Sequence, residues 1–199
     1  VTCVQAIWRT GGCVVVMPLP MRLGSSDQFG AQTRKRIADA DGVCVLIDPE
    51  FAPFVQPEEG DPPFFVIDQT MSEATGLSSA DFEPVDVTPS DTAILQFTSG
   101  STSDPKGVML PHSALAANVA ACAQAGGLVH EDVVVSWLPL YHDMGLVGML
   151  TIPMVSPGVS LVLGAPQDFL AKPLRWLEWI SQYGGSVTAA PNFAYALAT

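Results

Sequence analysis

The sequence predicts an α/β fold in which helices cover mostly parallel sheets. Short apolar runs alternate along the chain with longer segments that have the pattern of helices, and this order is typical of parallel strands joined by helical connections. Hydrophobic residues make up 48% of the 199 residues, which provides enough apolar surface for real cores. We therefore expect one or two compact α/β units.

Glycine and capping residues mark the elements of the first half. Ser26 or Asp27 can cap a helix that runs to about Ala40, and Gly42 is suited to end it. Residues 78–91 are acidic and contain two prolines, so we expect a surface connection there. The elements expected before it are a helix over residues 3–8, a strand over 14–17, the helix to Ala40, and strands over 43–47 and 64–67.

The second half continues the same alternation. An alanine-rich helix is expected between Ser113, as its cap, and Gly126. The other expected elements are strands over residues 93–97, 107–110 and 133–138, an apolar helix after residue 142, a strand over 160–163, a helix ending near 183, a short strand over 187–189 and a final helix from residue 192.

A polyphosphate-binding loop is predicted at residues 97–107, which read FTSGSTSDPKG and follow a strand directly. Hydroxyl groups and exposed backbone N–H groups can converge on phosphate oxygens, and a lysine can cover the outermost charge. Lys106 follows a proline and precedes a glycine, unlike the lysine of a Walker loop, so a kinase or GTPase is disfavoured. A surface loop without chemical function is the alternative.

A second polar segment follows the predicted strand that begins at Val133. Residues 136–146 read SWLPLYHDMGL and place His142 and Asp143 just past the end of that strand. Ligands of parallel α/β sheets bind outside the carboxyl ends of the strands. We therefore expect the His-Asp pair and the phosphate loop to belong to one ligand site.

The loop resembles the phosphate-binding motif of the adenylate-forming enzymes, the superfamily of acyl-CoA synthetases, luciferases, peptide-synthetase adenylation domains and fatty acyl-AMP ligases. The segment around His142 is similar to the fatty acyl-AMP ligase branch in particular. Residues 189–197, AAPNFAYAL, also resemble that branch, in which they help to wall the acyl tunnel. An ordinary strand-to-helix junction is the alternative for these last residues.

The resemblance implies that a fatty carboxylate attacks the α-phosphorus of Mg²⁺-bound ATP, which gives acyl-AMP and pyrophosphate. The acyl group then passes to a thiol, either on a carrier protein or on coenzyme A. The residues do not decide between these acceptors, so a fatty acyl-CoA synthetase is an alternative. A non-catalytic fragment that binds polyphosphate weakly, or packs against a partner, is an alternative of another class.

The resemblance also assigns roles to residues. Lys106 is implied to cover the leaving pyrophosphate, and His142 is implied to be catalytic by steadying charge near the carboxylate and the α-phosphate. Asp143 could orient His142 or cap the following helix. The implied ATP-binding residues are Thr98, Ser99, Gly100, Ser101, Thr102, Lys106 and Gly107, and the implied substrate-binding residues are His142, Asp143, Met144, Gly145, Asn192 and Phe193.

The resemblance further implies two subdomains. Residues 1–126 would form the first, which ends with the phosphate loop and its helix, and residues 127–199 would begin a second, incomplete one. The family's mobile C-terminal domain, its adenine- and Mg²⁺-binding segments, its ribose-binding Asp and its catalytic Lys are expected outside this sequence. We therefore assign no metal ligand here and expect the chain alone to be inactive.

The amino-acid composition limits the kinds of partner and the location that we expect for this chain. The net charge is −12, and residues 37–105 hold fourteen acidic residues but no Lys or Arg, so a nucleic-acid partner is not expected. The four cysteines lie far apart without zinc-like spacing and are expected to be buried free thiols. Because no apolar run is long enough for a membrane span and no secretory leader is present, we expect a cytoplasmic protein without a transmembrane segment.

Overall fold

The structure is a computed structural model that describes residues 1–19, 26–98 and 106–198. A π-helix, Met144–Thr151, precedes the fifth α-helix. The strands are β1 (Val45–Ile47), β2 (Phe64–Val66), β3 (Thr92–Thr98), β4 (Lys106–Pro111), β5 (Val133–Ser136) and β6 (Ser160–Leu163). The α-helices are α1 (Thr2–Arg9), α2 (Ser26–Asp39), α3 (Ile67–Ala74), α4 (His112–Ala125), α5 (Ile152–Val155), α6 (Pro166–Ala171), α7 (Leu174–Tyr183) and α8 (Asn192–Leu197).

The chain forms two compact units, Thr2–Val87 and Thr88–Thr199, the second together with Val1. Helices connect strand pairs in both units, and the β1–β2 and β5–β6 pairs are parallel, which confirms the predicted α/β class with mostly parallel sheets. The expected boundary between residues 126 and 127 concerns the two sheets of the related enzymes and stays a prediction.

The first unit contains the parallel pair of β1 and β2, with Val45 opposite Phe64. Helix α2 ends as expected, because the Gly42 N–H donates to the Ile37 carbonyl at 3.0 Å. The strand expected over residues 14–17 is wrong, since only Val14 makes a bridge. Val14 is 3% exposed, so an apolar run is buried here by packing and not by strand pairing.

The second unit begins with an antiparallel hairpin of β3 and β4. The predicted phosphate loop therefore connects two antiparallel strands, and the expectation that it follows a strand of a parallel sheet is wrong. Helix α4 begins at His112 with Pro111 before it and no side-chain cap, so the cap expected at Ser113 is wrong too. The Ser113 N–H instead donates to the Pro89 carbonyl at 2.8 Å.

Strand β5 is the centre of the second unit. It pairs in parallel with β6, and Val187 adds an isolated parallel bridge to Val134 in place of the short strand expected there. The strand ends at Ser136, two residues earlier than expected, because the Ser136 hydroxyl accepts the Leu138 N–H at 3.1 Å and turns the chain. This turn starts the segment that carries the His-Asp pair.

Aromatic rings fill the core beside β5. Trp137 stacks on Phe169 with ring centroids 3.8 Å apart, and Trp176 meets both rings edge-on. Trp176 is 1% exposed, and Trp179 packs against the same cluster, so both residues belong to the core. No described helix is long and apolar enough to cross a membrane.

All four cysteines are free thiols, as expected, but the expectation that they are buried is wrong. Cys13, Cys44 and Cys122 are exposed, and Cys3 is half-buried. Cys13 and Cys44 lie just after the turns that end α1 and α2, where their apolar neighbours in sequence do not enclose them.

Candidate active site

The β3–β4 hairpin holds the two ends of the predicted phosphate loop together. Thr98 and Lys106 are cross-strand partners, and the Thr98 hydroxyl donates to the Lys106 carbonyl at 3.3 Å. Four further residues predicted to contact ATP, namely Ser99, Gly100, Ser101 and Thr102, lie outside the described residues. The structure therefore shows the base of this loop, where a hydroxyl residue and the lysine are adjacent.

Gly107 has a structural reason to be glycine. It lies opposite Phe97 in the hairpin, and a Cβ atom at Gly107 would come within 2.9 Å of the Leu95 Cδ1 atom. The small residue lets the two strands pair with the Leu95 side chain between them. Its predicted role in the approach of phosphate stays a prediction.

His142 and Asp143 contact each other directly. The His142 Nδ1 atom lies 2.6 Å from the Asp143 Oδ1 atom, and both side chains are exposed, at 63% and 75%. The Met144 N–H also lies 3.3 Å from Nδ1, but a protonated Nδ1 cannot accept that hydrogen bond. The shorter contact favours a proton on Nδ1 shared with Asp143, which leaves Nε2 as the nitrogen that can face a ligand.

Asp143 also caps the π-helix. Its Oδ1 atom accepts the Met144 N–H at 2.6 Å, so one carboxylate both holds the imidazole and starts the helix. The π-helix continues with wide turns, since the Ile152 N–H donates to the Val147 carbonyl five residues earlier. Such helices occur frequently at functional sites.

Three contacts fix the segment before His142. The His142 N–H donates to the Pro139 carbonyl at 3.1 Å, and a Cβ atom at Gly145 would lie only 2.2 Å from that same oxygen. The Gln96 side chain of β3 donates to the Tyr141 carbonyl at 3.1 Å. Sequence reasoning missed Gln96, although a polar residue inside the apolar strand TAILQFT was a usable signal.

Tyr141 is half-buried beside this pair. Burial raises the pKa of its phenol above the ordinary value of 10.0, so the ring stays neutral near neutral pH. Tyr141 therefore adds no charge next to His142.

An apolar cavity of about 550 Å³ opens beside Asp143. This volume is in the range of small-molecule sites. Two predicted substrate-binding residues, Asp143 and Met144, line the cavity, whereas Asn192 and Phe193 lie at the start of α8, with the Phe193 ring 6.4 Å from Trp137. The lining residues that sequence reasoning missed are Leu110, Ala114, Leu115, Asn118, Val147 and Gly148.

The His, Cys, Asp and Glu side chains of the described residues do not cluster as metal ligands would. Within residues 1–19, 26–98 and 106–198, no group of three or more His, Cys, Asp or Glu side chains is placed to hold a metal ion. Because Mg²⁺ is usually held by one or two carboxylates together with substrate phosphates, these described residues assign no ligand to it.

A model of the AMP-binding enzyme family matches residues 1–198. The chain is 35% identical over 194 residues to long-chain-fatty-acid–AMP ligase FadD23 of Mycobacterium tuberculosis, covering 92% of this chain and 32% of that protein. It is 38% identical over 142 residues to the medium-chain-fatty-acid–[acyl-carrier-protein] ligase TtuA of Teredinibacter turnerae, covering 65% of this chain and 22% of that protein.

The fold is similar to that of the fatty acyl-adenylate ligase from L. pneumophila in complex with acyl adenylate and pyrophosphate. The TM-score is 0.81 at 28% identity, and the match covers 96% of this chain and 32% of that structure. The chain thus spans between about a fifth and a third of the length of these proteins.

Proposed function

Because this chain belongs to the AMP-binding enzyme family, we propose that the protein containing it is a ligase that activates a fatty acid as acyl-adenylate. The observation that carries the proposal is the contact between His142 and Asp143, because Asp143 also lines an apolar cavity. A carboxylate that reacts beside His142 could place its alkyl chain among apolar side chains there. The names of FadD23 and of the L. pneumophila ligase support the same chemistry.

In the proposed reaction, a carboxylate oxygen of the fatty acid attacks the α-phosphorus of ATP. A new bond forms between that oxygen and phosphorus, the bond to the bridging oxygen breaks, and pyrophosphate leaves. Lys106 and the loop hydroxyls cover the charge of the pyrophosphate, and His142 stabilises the charge on the reacting phosphoryl group. Mg²⁺ stays an implied cofactor, and no step here passes through it.

We propose a carrier-protein thiol as the acyl acceptor. The name of TtuA, an acyl-carrier-protein ligase, supports this choice. Coenzyme A is the alternative acceptor, which would make the protein a fatty acyl-CoA synthetase. A cytoplasmic location remains an expectation that fits the four free thiols.

The first experiment is fatty-acid-dependent exchange of labelled pyrophosphate into ATP, without coenzyme A. It is run with the full reading frame and, in parallel, with this 199-residue chain. Exchange in the longer protein alone supports the proposal and the expectation that the chain alone is inactive. Exchange in neither, with medium- and long-chain fatty acids, contradicts adenylation and favours a binding module. Adding holo carrier protein or coenzyme A then identifies the acceptor.

Two variants test the assigned roles in the full-length protein. We expect Lys106→Ala and His142→Ala each to lower the exchange rate by about 10²- to 10³-fold, the size of effect seen when one transition-state donor is removed. Lys35→Ala and His130→Ala are matched controls, since both residues are exposed and outside the proposed site. An unchanged exchange rate in Lys106→Ala would remove Lys106 from the mechanism.

A further inference from the structure

Gln96 connects the strand that leads into the phosphate loop with the segment that carries His142. Its Nε2–H donates to the Tyr141 carbonyl at 3.1 Å, across 45 positions of sequence. Gln96 lies two residues before Thr98, and Tyr141 directly precedes His142. One hydrogen bond thus joins the two halves of the proposed site.

The surroundings of Gln96 make this bond effective. Its side chain is half-buried, and the hydrogen bond to the Tyr141 carbonyl is partly shielded from water. A hydrogen bond that is shielded from water holds its geometry better than an exposed one. Because β3 is paired along its length with β4, the donor is attached to a rigid element.

The contacts near His142 explain why a tie at Tyr141 matters. The turn from Pro139 to His142 is closed by its own backbone, and Gly145 lies against the Pro139 carbonyl, so local contacts fix the shape of the segment. The π-helix that follows also packs on α4. The Gln96 bond adds a direct link from the residue before His142 to β3.

We propose that Gln96 is a positioning residue that sets the distance between the phosphate loop and His142. This inference rests on the proposed adenylation, in which His142 and the loop act on the same ATP. When the tie is lost, His142 can shift while the ATP phosphates stay on the loop. A displacement of about 1 Å can cost about 10²-fold in rate, so the loss belongs in kcat and not in the KM for ATP.

The kinetic test uses Gln96→Leu in the full-length protein and measures pyrophosphate exchange. We expect kcat to fall about 10- to 100-fold while the KM for ATP changes less than about 3-fold. Gln124→Leu is the matched control, because Gln124 is exposed on α4 and is not part of the site. An equal loss in KM, or no loss at all, would overturn the positioning role.

A double-mutant cycle shows whether Gln96 acts through His142. If it does, Gln96→Leu should have little further effect in the His142→Ala background, so that the two losses do not add. Additive losses would assign Gln96 a role that is independent of His142, and would contradict the proposal.

Gln96→Glu provides a pH readout of the hydrogen-bond donor role of this side chain. An ionised Glu cannot donate to the Tyr141 carbonyl, whereas a protonated Glu can. Activity of Gln96→Glu relative to the wild type should therefore rise as the pH falls toward the pKa of the new carboxyl, about 4.3 or higher in this half-buried place. A ratio that is independent of pH would argue against the donor role.

Nitrogen NMR of the His142 imidazole separates this inference from the proposed function. In Gln96→Leu the imidazole nitrogen resonances should shift or broaden, since the ring would lose its fixed place relative to β3, whereas Gln124→Leu should match the wild type. If the wild type shows no exchange, adenylation fails, yet the NMR result still decides the positioning role. An imidazole spectrum unchanged in Gln96→Leu would overturn it.

Discussion

Gly145 shows how one missing methyl group shapes the segment that carries the His-Asp pair. A Cβ atom at this position would meet the Pro139 oxygen at 2.2 Å and the Pro139 carbon at 2.8 Å. Both are backbone atoms, so they cannot rotate away as a side chain could. The close approach fixes the angle at which the chain enters the π-helix.

We expect Gly145→Ala to weaken local structure by about 1–3 kcal/mol, the cost of overpacking a tight contact. Hydrogen exchange of peptides over residues 138–151 in the full-length protein measures this as faster exchange. Gly148→Ala is the matched control in the same helix, because its Cβ atom would lie 3.9 Å from the nearest atom, Met144 Cγ. Equal exchange in the two variants would contradict the clash.

At the scale of elements, the hydroxyl of Thr188 joins β5 to the segment that passes beside this strand. The Trp176 indole N–H donates to the Thr188 hydroxyl at 3.0 Å, and that hydroxyl donates to the Val135 carbonyl at 2.7 Å. Thr188 thus serves a strand and a helix at once. Its hydroxyl takes the place of the backbone bond that a regular strand would make.

Replacing Thr188 with Val keeps the shape but leaves both of these partners without their bond. We expect a loss of about 1–3 kcal/mol in the stability of this region, as for buried groups that lose a hydrogen-bond partner. Urea-dependent proteolysis of the full-length protein measures the loss. Thr188→Ser keeps the hydroxyl and should recover most of the stability, whereas a loss of the same size in both variants would indicate packing instead.

Asp132 supplies a pH-dependent contact before β5. The Ser186 hydroxyl, and secondly the Val129 N–H, hold the pKa of this carboxyl below its ordinary value of 3.8. The ionised form is therefore favoured in the folded state, so the contribution to stability is present above pH 3.8 and is lost as the pH falls through the lowered folded pKa.

Ser186→Ala should move the pKa of Asp132 back toward 3.8, because the largest cause of the shift is removed. The contribution of Asp132 to stability would then be smaller, and its loss on acidification would be complete at a higher pH. Carbon NMR titration of the Asp132 carboxyl measures the change, with Ser181→Ala on α7 as control. A pKa unchanged by Ser186→Ala would show that the Val129 N–H alone holds the charge.

The sequence pattern predicted the bounds of some elements correctly and of others wrongly, and the differences have physical causes. The strand over residues 160–163 was confirmed at both ends, because a short β-branched and apolar run lies between turn residues. The end of β5 was wrong, since a single hydroxyl at Ser136 turns the chain inside an apolar run. The helix cap at Ser113 was wrong because the Pro89 carbonyl, distant in sequence, binds the Ser113 N–H.

One cluster of aromatic rings lies in the core of the second unit. Phe169 is fully buried and stacks on Trp137, which is itself 4% exposed. Phe193 touches the edge of the same cluster but is 52% exposed. The two phenylalanines therefore differ in burial while contacting the same tryptophan.

We expect Phe169→Ala to destabilise the full-length protein by about 3–5 kcal/mol, since a fully buried ring leaves a cavity. Phe193→Ala should cost much less, and its effect would show in the dependence on acyl-chain length if that ring lines the acyl tunnel. Thermal unfolding followed by tryptophan fluorescence tests the first effect. Similar unfolding of both variants would contradict the difference in burial.

The site could be predicted only in part, because motif and geometry carry different information. The sequence motif points to His142, Asp143 and residues 97–107, whose roles stay predictions, since chemistry that depends on residue type leaves a local pattern. The cavity wall from α4 and the tie from Gln96 depend on contacts between distant positions, which a single sequence does not show.

The π-helix has a consequence for how this region can change in length. A π-turn contains one more residue than an α-turn, so Met144–Thr151 holds the equivalent of an insertion without a protruding loop. We expect the deletion of one residue here to favour α-helical bonding and to rotate the preceding His-Asp pair by about 100° around the helix axis. Such a deletion would re-aim the pair without any substitution at His142 or Asp143.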